Sequence, residues 1–510
     1  MNLRPQIKNT IIEFICLLFV LLFVYASTNK LLDYENFRVQ LGQSPLLSAF
    51  AFWISWLVPL LELIISFLLI FRSTRMCGLL LAFNLMIMFT VYIFIILHYS
   101  SYVPCSCGGI LEKMSWNAHM LFNFIFIALA VIAIVLHRNN DSKIKNAKLT
   151  ATSIKTMILS SFCSVLTVVI LYICSEKIMH YSNPFQRRYP KNTAVNLQQI
   201  DLKFNSYYIA GFTKGRLYLG NFSNPQILTS FDNNLGNKKI VKINFDPGNI
   251  PFQNVTLCVR ENYFYLKDGM VPALFRGSIK DWTINTRLNE MPFFTQAEPI
   301  DSTTIIFRNN SGKNMSNRLG IFNYEKENKI TYKDSLLEKQ IDGIFDTDGL
   351  LMYSEHNRKI IYLYYYRNEF VVAEKTGKLV YKGHTIDTTT KAKIKVTTVK
   401  KGAGKTMSAP PFIVNAHSFV FKNLLFVNSR VMGKYEDKNT WEYSSVIDIY
   451  DISKQTYLFS FSIYNIDGDN LKSFIVDGTY LYALIGNNLA VYKLKENIQN
   501  ELKSSEIKLR

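Results

Sequence analysis

Five apolar stretches, residues 10–28, 46–71, 78–99, 118–137 and 157–175, divide the first third of this chain into blocks of Leu, Ile, Phe, Val and Met. A run of about 18 or more apolar residues is long enough to cross the hydrocarbon core as a helix. In lipid such a segment must satisfy its own backbone polar groups, which a helix does. The fold class expected for this part is an α-helical membrane bundle, a four-helix unit followed by a fifth transmembrane helix. The first run also fits a secretory signal peptide, with Arg4 and Lys8 before it and "YAS" at 25–27 as a small-residue cleavage site. Either reading leaves residue 30 outside.

Basic residues orient the helices, because cytoplasmic segments retain an excess of Lys and Arg. With the N-terminus inside, the inner segments hold Arg4, Lys8, Arg72, Arg75, Arg138, Lys143, Lys145, Lys148 and Lys155, against Lys30, Arg38 and Lys113 outside. The expected location is a bacterial inner membrane, multi-pass, with the loop around residue 105 and everything after the fifth helix in the periplasm. The formal net charge of +19 is shared between the two halves of the chain. Up to residue 200 it reflects topology determinants, and beyond that scattered Lys among Asp and Glu. No basic helix accompanies it, so solvated faces near a lipid surface are expected, with no nucleic-acid partner.

After a basic connector (138–156), the fifth helix (157–175) and a linker with two prolines (176–199), the pattern changes. Residues 200–495 read as short aromatic-rich strands separated by Gly, Asn and Asp turns, as in "GRLYLGNF" and "GTYLYALIGNNLAVYKL". An all-β exported domain is expected, a β-propeller of six or seven blades, with a pair of β-sandwiches as the alternative. Residues 496–510 form a polar tail. "VKKGAGKT" (399–406) ends like a phosphate-binding loop, but Val399 stands where that motif needs its first glycine. It reads as a loop.

The chemistry-bearing stretch is "VPCSCGGILEKMSWNAHMLFN" (103–123), between the third and fourth apolar runs. Together with "YASTNKLLDYENF", "PLLELIISFLLIF" and "CGLLLAFNLMIMFTVYIF", it makes residues 8–137 resemble the MauE/DoxX-like family of redox-associated membrane proteins. The resemblance rests mainly on Cys105-Ser-Cys107-Gly-Gly followed by Trp116 and His119. It implies a role in forming or maintaining disulfides in an exported protein, and in that family an association with methylamine metabolism. The soluble domain appended here departs from the short members of the family.

The residues of the loop point the same way by themselves. Cysteine reacts as its thiolate, favoured by nearby positive charge or donors. Two cysteines one residue apart can close only a small, strained ring, and strained exposed disulfides are the more oxidising ones. Gly108 and Gly109 leave room for a partner thiol, His119 can hold a proton or stabilise a thiolate, and Lys113 adds charge. Against this stand an inert loop disulfide, two packed thiols, or a metal, for which Cys105, Cys107 and His119 supply at most three ligands. Glu62, three residues after Pro59 inside the second run, is costly in lipid. It fits proton transfer or contact with a membrane quinone, or structural pairing with Asn84, Asn123 or Trp56. Cys16, Cys77, Cys163, Cys174 and Cys258 form no second exported pair, so the exchange partner expected is another protein, a thioredoxin-like or client protein, or a quinone. The competing class is a membrane-anchored binding or sensor protein in which the propeller takes a ligand and the CSC loop is structural.

Overall fold

The computed structural model describes residues 5–34, 37–38, 41, 44, 46–99, 115–141, 147–246, 248–310, 316–398 and 405–507. The chain divides into two compact units, Met1–Lys191 and Asn192–Arg510.

In the first unit the apolar runs are helices α1 (Pro5–Leu32), α2 (Ala51–Ile70), α3 (Arg75–Tyr99), α4 (Trp116–Asp141) and α5 (Ala147–Tyr181). Each contains a segment long and apolar enough to cross a membrane, and the protein is a multi-pass membrane protein. Helix α1 packs on α2 and α4, while α3 packs on α2, α4 and α5. The first four therefore close a ring, with α5 against α3. Helical spacing explains the packing: Ile12, Ile15, Phe19 and Phe23 form one stripe of α1, clustered with Ala82, Phe83 and Met86 of α3 and Ala130 and Ala133 of α4. The other face of α1 exposes Phe14, Leu17 and Leu21, as a helix facing lipid requires. At one end, Glu13 of α1 pairs with Arg72 (3.0 Å) and Arg75 (3.7 Å), tying α1 to the turn between α2 and α3.

The second unit is a six-bladed β-propeller. Five blades are consecutive four-stranded antiparallel meanders whose innermost strands are Tyr207–Thr213, Thr256–Arg260, Gln296–Pro299, Gly349–Ser354 and Asn415–Phe421. The sixth combines Leu471–Asp477, Tyr480–Ile485 and Asn488–Leu494 with Ala194–Asp201, which precedes all the others in the chain. That strand pairs from Ala194 opposite Leu494 to Asp201 opposite Asn488 and closes the ring. Six separate four-stranded sheets exclude the sandwich pair. The cores lie between blades, for example Leu217, Leu219 and Phe231 of the first against Tyr482, Leu484 and Val491 of the last. Tight turns set the strand pairing: Lys214 and Gly215 both have positive φ (50° and 69°), the geometry that matches strand twist in a two-residue hairpin. Six residues of "VKKGAGKT", 399–404, lie outside the described residues. The last two sit in strand Lys405–Met407, paired antiparallel with Val396–Thr398, and no phosphate-cradling helix follows.

Candidate functional site

Helix α4 begins with a side-chain cap. Ser115 Oγ accepts a hydrogen bond from the Ala118 backbone N–H (3.3 Å), satisfying a donor that the first turn leaves unpaired. Trp116, His119 and Asn123 then fall at i, i+3 and i+7 and share a face. The Trp116 and His119 rings lie nearly parallel, with centroids 6.3 Å apart and an interplanar angle of 20°.

That face borders a cavity of ≈ 220 Å³ between the membrane helices, lined also by Val168 and Leu171 of α5, which receives Lys30 of α1 and Glu62 of α2. Helices α1 and α2 are joined where Ser27 Oγ donates to the Pro59 carbonyl (3.1 Å). Lys30 lies one turn beyond Ser27. Helical side chains tilt toward the N-terminus, so its amine reaches back and forms an ion pair with Glu62 Oε1. Glu62 is 1% and Lys30 13% exposed. The ammonium also lies 5.6 Å from the centroid of the Phe89 ring and 5.9 Å from that of Phe37. The charge pair thus answers the question raised by an acid in the middle of a spanning helix. Its partner is Lys30, not Asn84, Asn123 or Trp56. Asn84 instead accepts a hydrogen bond from Ser164 of α5 (2.9 Å).

Three polar atoms around the cavity have no hydrogen-bond partner among the described residues: Glu62 Oε2, His119 Nδ1 and Asn123 Nδ2. Buried polar groups are normally satisfied, so such a cluster calls for an explanation. Cys105, Cys107, Gly108, Gly109 and Lys113 lie outside the described residues. Of the expected site residues, Glu62, Trp116 and His119 come together at one cavity. Lys30 and Asn123 join them. Sequence reasoning counted Lys30 as an exterior loop charge, although it shares a helical face with Phe23 and Ser27. Asn123 was legible from its i+4 spacing to His119. His98, by contrast, bonds and stacks on Phe94 of its own helix (3.0 Å) and, among the described residues, has no other such contact. Among the described residues, Cys16, Cys77, Cys163, Cys174 and Cys258 are free thiols.

The propeller has its own concavity, an ≈ 890 Å³ central channel between the innermost strands. Arg260 organises one side of it through Glu298 (2.7 Å), Glu355 (2.8 Å) and the Pro299 carbonyl (2.6 Å). Two carboxylates and a carbonyl leave this guanidinium well satisfied. His417 Nε2 donates to the Phe474 carbonyl (3.1 Å), and burial pushes that ring down to about 4. Among the described residues, no group of three or more His, Cys, Asp or Glu is placed to hold a metal ion.

Residues 8–136 match the family model described as methylamine utilisation protein MauE. The helical ring is the MauE-like part of the chain. The match ends within α4, so α5 and the propeller are additions to the MauE-like unit. No curated protein matches the chain. Solved structures similar to it include a member of the DUF4221 family from Bacteroides vulgatus, at 11% identity and TM-score 0.38, covering 60% of this chain and 99% of that one. BamB from Moraxella catarrhalis is 10% identical, with TM-score 0.31 and coverage of 59% and 99%. A catalytically inactive virginiamycin B lyase from Staphylococcus aureus is 11% identical, with TM-score 0.35 and coverage of 58% and 99%.

Proposed function

We propose that this protein is a redox-associated inner-membrane protein that exchanges disulfides with an exported partner through Cys105 and Cys107. The observation that carries the reading is the position of His119. It stands in the first turn of α4, twelve residues after Cys107, on the border of a cavity that also holds the Lys30–Glu62 pair. The match of residues 8–136 to the MauE model supports it. In this reading the CSC loop and the propeller face the periplasm, which the distribution of Lys and Arg supports.

The exchange balances without a further reagent. A client thiolate attacks the Cys105–Cys107 disulfide, forming a mixed disulfide and releasing one loop thiolate. The second client thiol resolves it, leaving a client disulfide and two loop thiols. Two electrons and two protons pass from client to loop. His119 takes and returns a proton, Lys113 favours the loop thiolates, and Trp116 packs beside His119. The propeller recruits the client, which need not belong to the methylamine utilisation that the family model's description names.

The size of the propeller channel favours a second reading, a membrane-anchored binding protein with a structural CSC loop. Thiol trapping in intact cells separates the two. A membrane-impermeant maleimide should label the loop only after mild reduction, and Cys105→Ser or Cys107→Ser should each trap a mixed disulfide with the client. A loop that never labels, or is always free and never forms an adduct, rules out exchange and leaves the binding protein.

A further inference from the structure

We propose that the propeller docks an extended acidic segment of its exported partner on a lysine-bearing ribbon between the fourth and fifth blades. The inference rests on the recruiting role given to the propeller above, not on the chemistry of the loop cysteines.

The topology of the blades first separates two ends. In each blade, the loop into the innermost strand and the loop between the second and third strands emerge at one end, and the remaining turns at the other. Phe204, Phe222, Met270, Phe293, Phe412 and Met432 are exposed, and all lie in loops of the first end. Among the described residues, no turn at the other end exposes a large apolar side chain. Apolar side chains gathered on one face mark an interaction surface. The chain arriving from α5 attaches at the opposite end, where strand Ala194–Asp201 starts; Asp201 pairs with Asn488 beside the loop end.

Charge then selects one part of that face. Between Asp387 and Glu436 the sequence holds no Asp or Glu, and its lysines with Arg430 supply most of the excess positive charge of the propeller half. The loop into the fifth blade, residues 385–414, is the longest of its kind and carries the antiparallel pair Val396–Thr398 and Lys405–Met407. The pairing continues where Ser408 N–H donates to the Lys395 carbonyl (2.8 Å) and Phe412 N–H to the Lys393 carbonyl (3.3 Å). At the base of this ribbon, Gln340 bonds both the Thr390 carbonyl (3.0 Å) and the Ala392 N–H (3.0 Å). Exposure alternates there: Lys391, Lys393 and Lys395 are exposed, Ala392 is buried and Ile394 half-buried. Alternate residues of an extended strand stand about 6.6 Å apart on one side, so three ammonium groups form a row. The Lys393 ammonium lies 5.0 Å from the centroid of the Phe412 ring. The Arg430 N–H donates to the Val414 carbonyl (2.7 Å), which joins the loop bearing exposed Arg430 and Met432 to the one bearing exposed Phe412 and Ile413.

The spacing names the partner. Carboxylates on alternate residues of an extended chain match the lysine row, and the exposed apolar side chains beside it take the residues between. Among the described residues the ribbon is a sheet of two strands, so its outer edge is open. An extended peptide adds to such an edge as a further strand, with main-chain bonds giving affinity and side chains giving choice. A lipid surface carries the charge but offers neither the two-residue spacing nor backbone donors.

The test uses the full chain in phosphatidylcholine nanodiscs and a short fluorescein-labelled peptide with Asp at alternate positions and Phe and Leu between them. Saturable binding by fluorescence anisotropy is expected, weakening as salt is raised. Lys393→Glu with Lys395→Glu should weaken it about tenfold. Lys238→Glu with Lys280→Glu makes the same change of charge in exposed turns at the opposite end and should leave it unchanged. Equal loss in both pairs of variants is bulk electrostatics and overturns the site, as does the absence of saturable binding. A peptide of the same composition with its Asp residues clustered should bind more weakly, and equal binding overturns the extended match. Binding that disappears when phosphatidylglycerol is added to the discs assigns the patch to the bilayer surface, against the proposal. Docking and exchange fail separately. The Cys105→Ser/Cys107→Ser variant should bind the peptide as the native chain does, so lost exchange leaves docking intact. Trapped mixed disulfides without peptide binding remove docking and keep exchange.

Discussion

A carboxylate 1% exposed in a spanning helix persists because Lys30 neutralises it. Removing one member of a buried pair leaves an uncompensated charge, which costs more than the pair contributes. Lys30→Met should therefore destabilise the protein by ~3–5 kcal/mol. Lys30→Met with Glu62→Leu should recover most of that, as read by thermal unfolding in detergent. Equal losses in the single and double variants would show that the pair does not act as a unit. In the propeller, His417 titrates near 4 when folded, against an ordinary value of 6.5. The unfolded chain then binds the extra proton between those values, so stability is greatest above 6.5 and falls as pH drops toward 4. His417→Gln should flatten this slope in pH-dependent melts of the propeller transition. The sequence singled out Glu62 because charge in lipid is expensive. It did not single out Lys30, because a lysine near a helix end reads equally well as a topology signal. Only the reach of its side chain across to α2 separates the two roles.

At the level of elements, the blades share a device that composition hides. Phe264 lies across from Gly277, and Phe307 across from Gly320, in neighbouring strands. A Cβ on either glycine would meet the aromatic ring at 2.3 Å. The ring covers the glycine and fills the space a side chain would take. Gly320→Ala should thus cost ~1–3 kcal/mol by forcing Phe307 off its rotamer. The pair Gly320→Ala/Phe307→Leu should lose less than the sum of its members, and strict additivity in denaturant melts would reject the idea. Hairpins and their turns were legible because alternation and Gly or Asn at two-residue turns are local signals. The pairing of a particular Phe with a particular Gly depends on strand register, which no single strand carries.

At the level of the whole molecule, the propeller is closed by its first strand. Ala194–Asp201 occupies the outer edge of the last blade, although its residues up to 199 read as part of a proline-containing linker. Ile200→Pro, two residues before the Leu202 N–H that donates to the Asn487 carbonyl (2.9 Å), removes a donor from that ladder and should weaken the closure of the ring by about 1 kcal/mol or more. Limited proteolysis should then cut within 192–202 and destabilise the sixth blade. Unchanged protease resistance would mean that blade packing alone holds the ring. The chain by itself determined five spanning helices, an all-β remainder and a short list of residues too costly or too reactive to be incidental. Those conclusions follow from local composition, periodicity and the physics of lipid. Only the tertiary structure decided that the blades number six, that an N-terminal strand closes them, and that Lys30, Glu62, His119 and Asn123 border one cavity. Each of these depends on residues far apart in sequence being brought together by packing, and periodicity carries no information about which distant faces will meet.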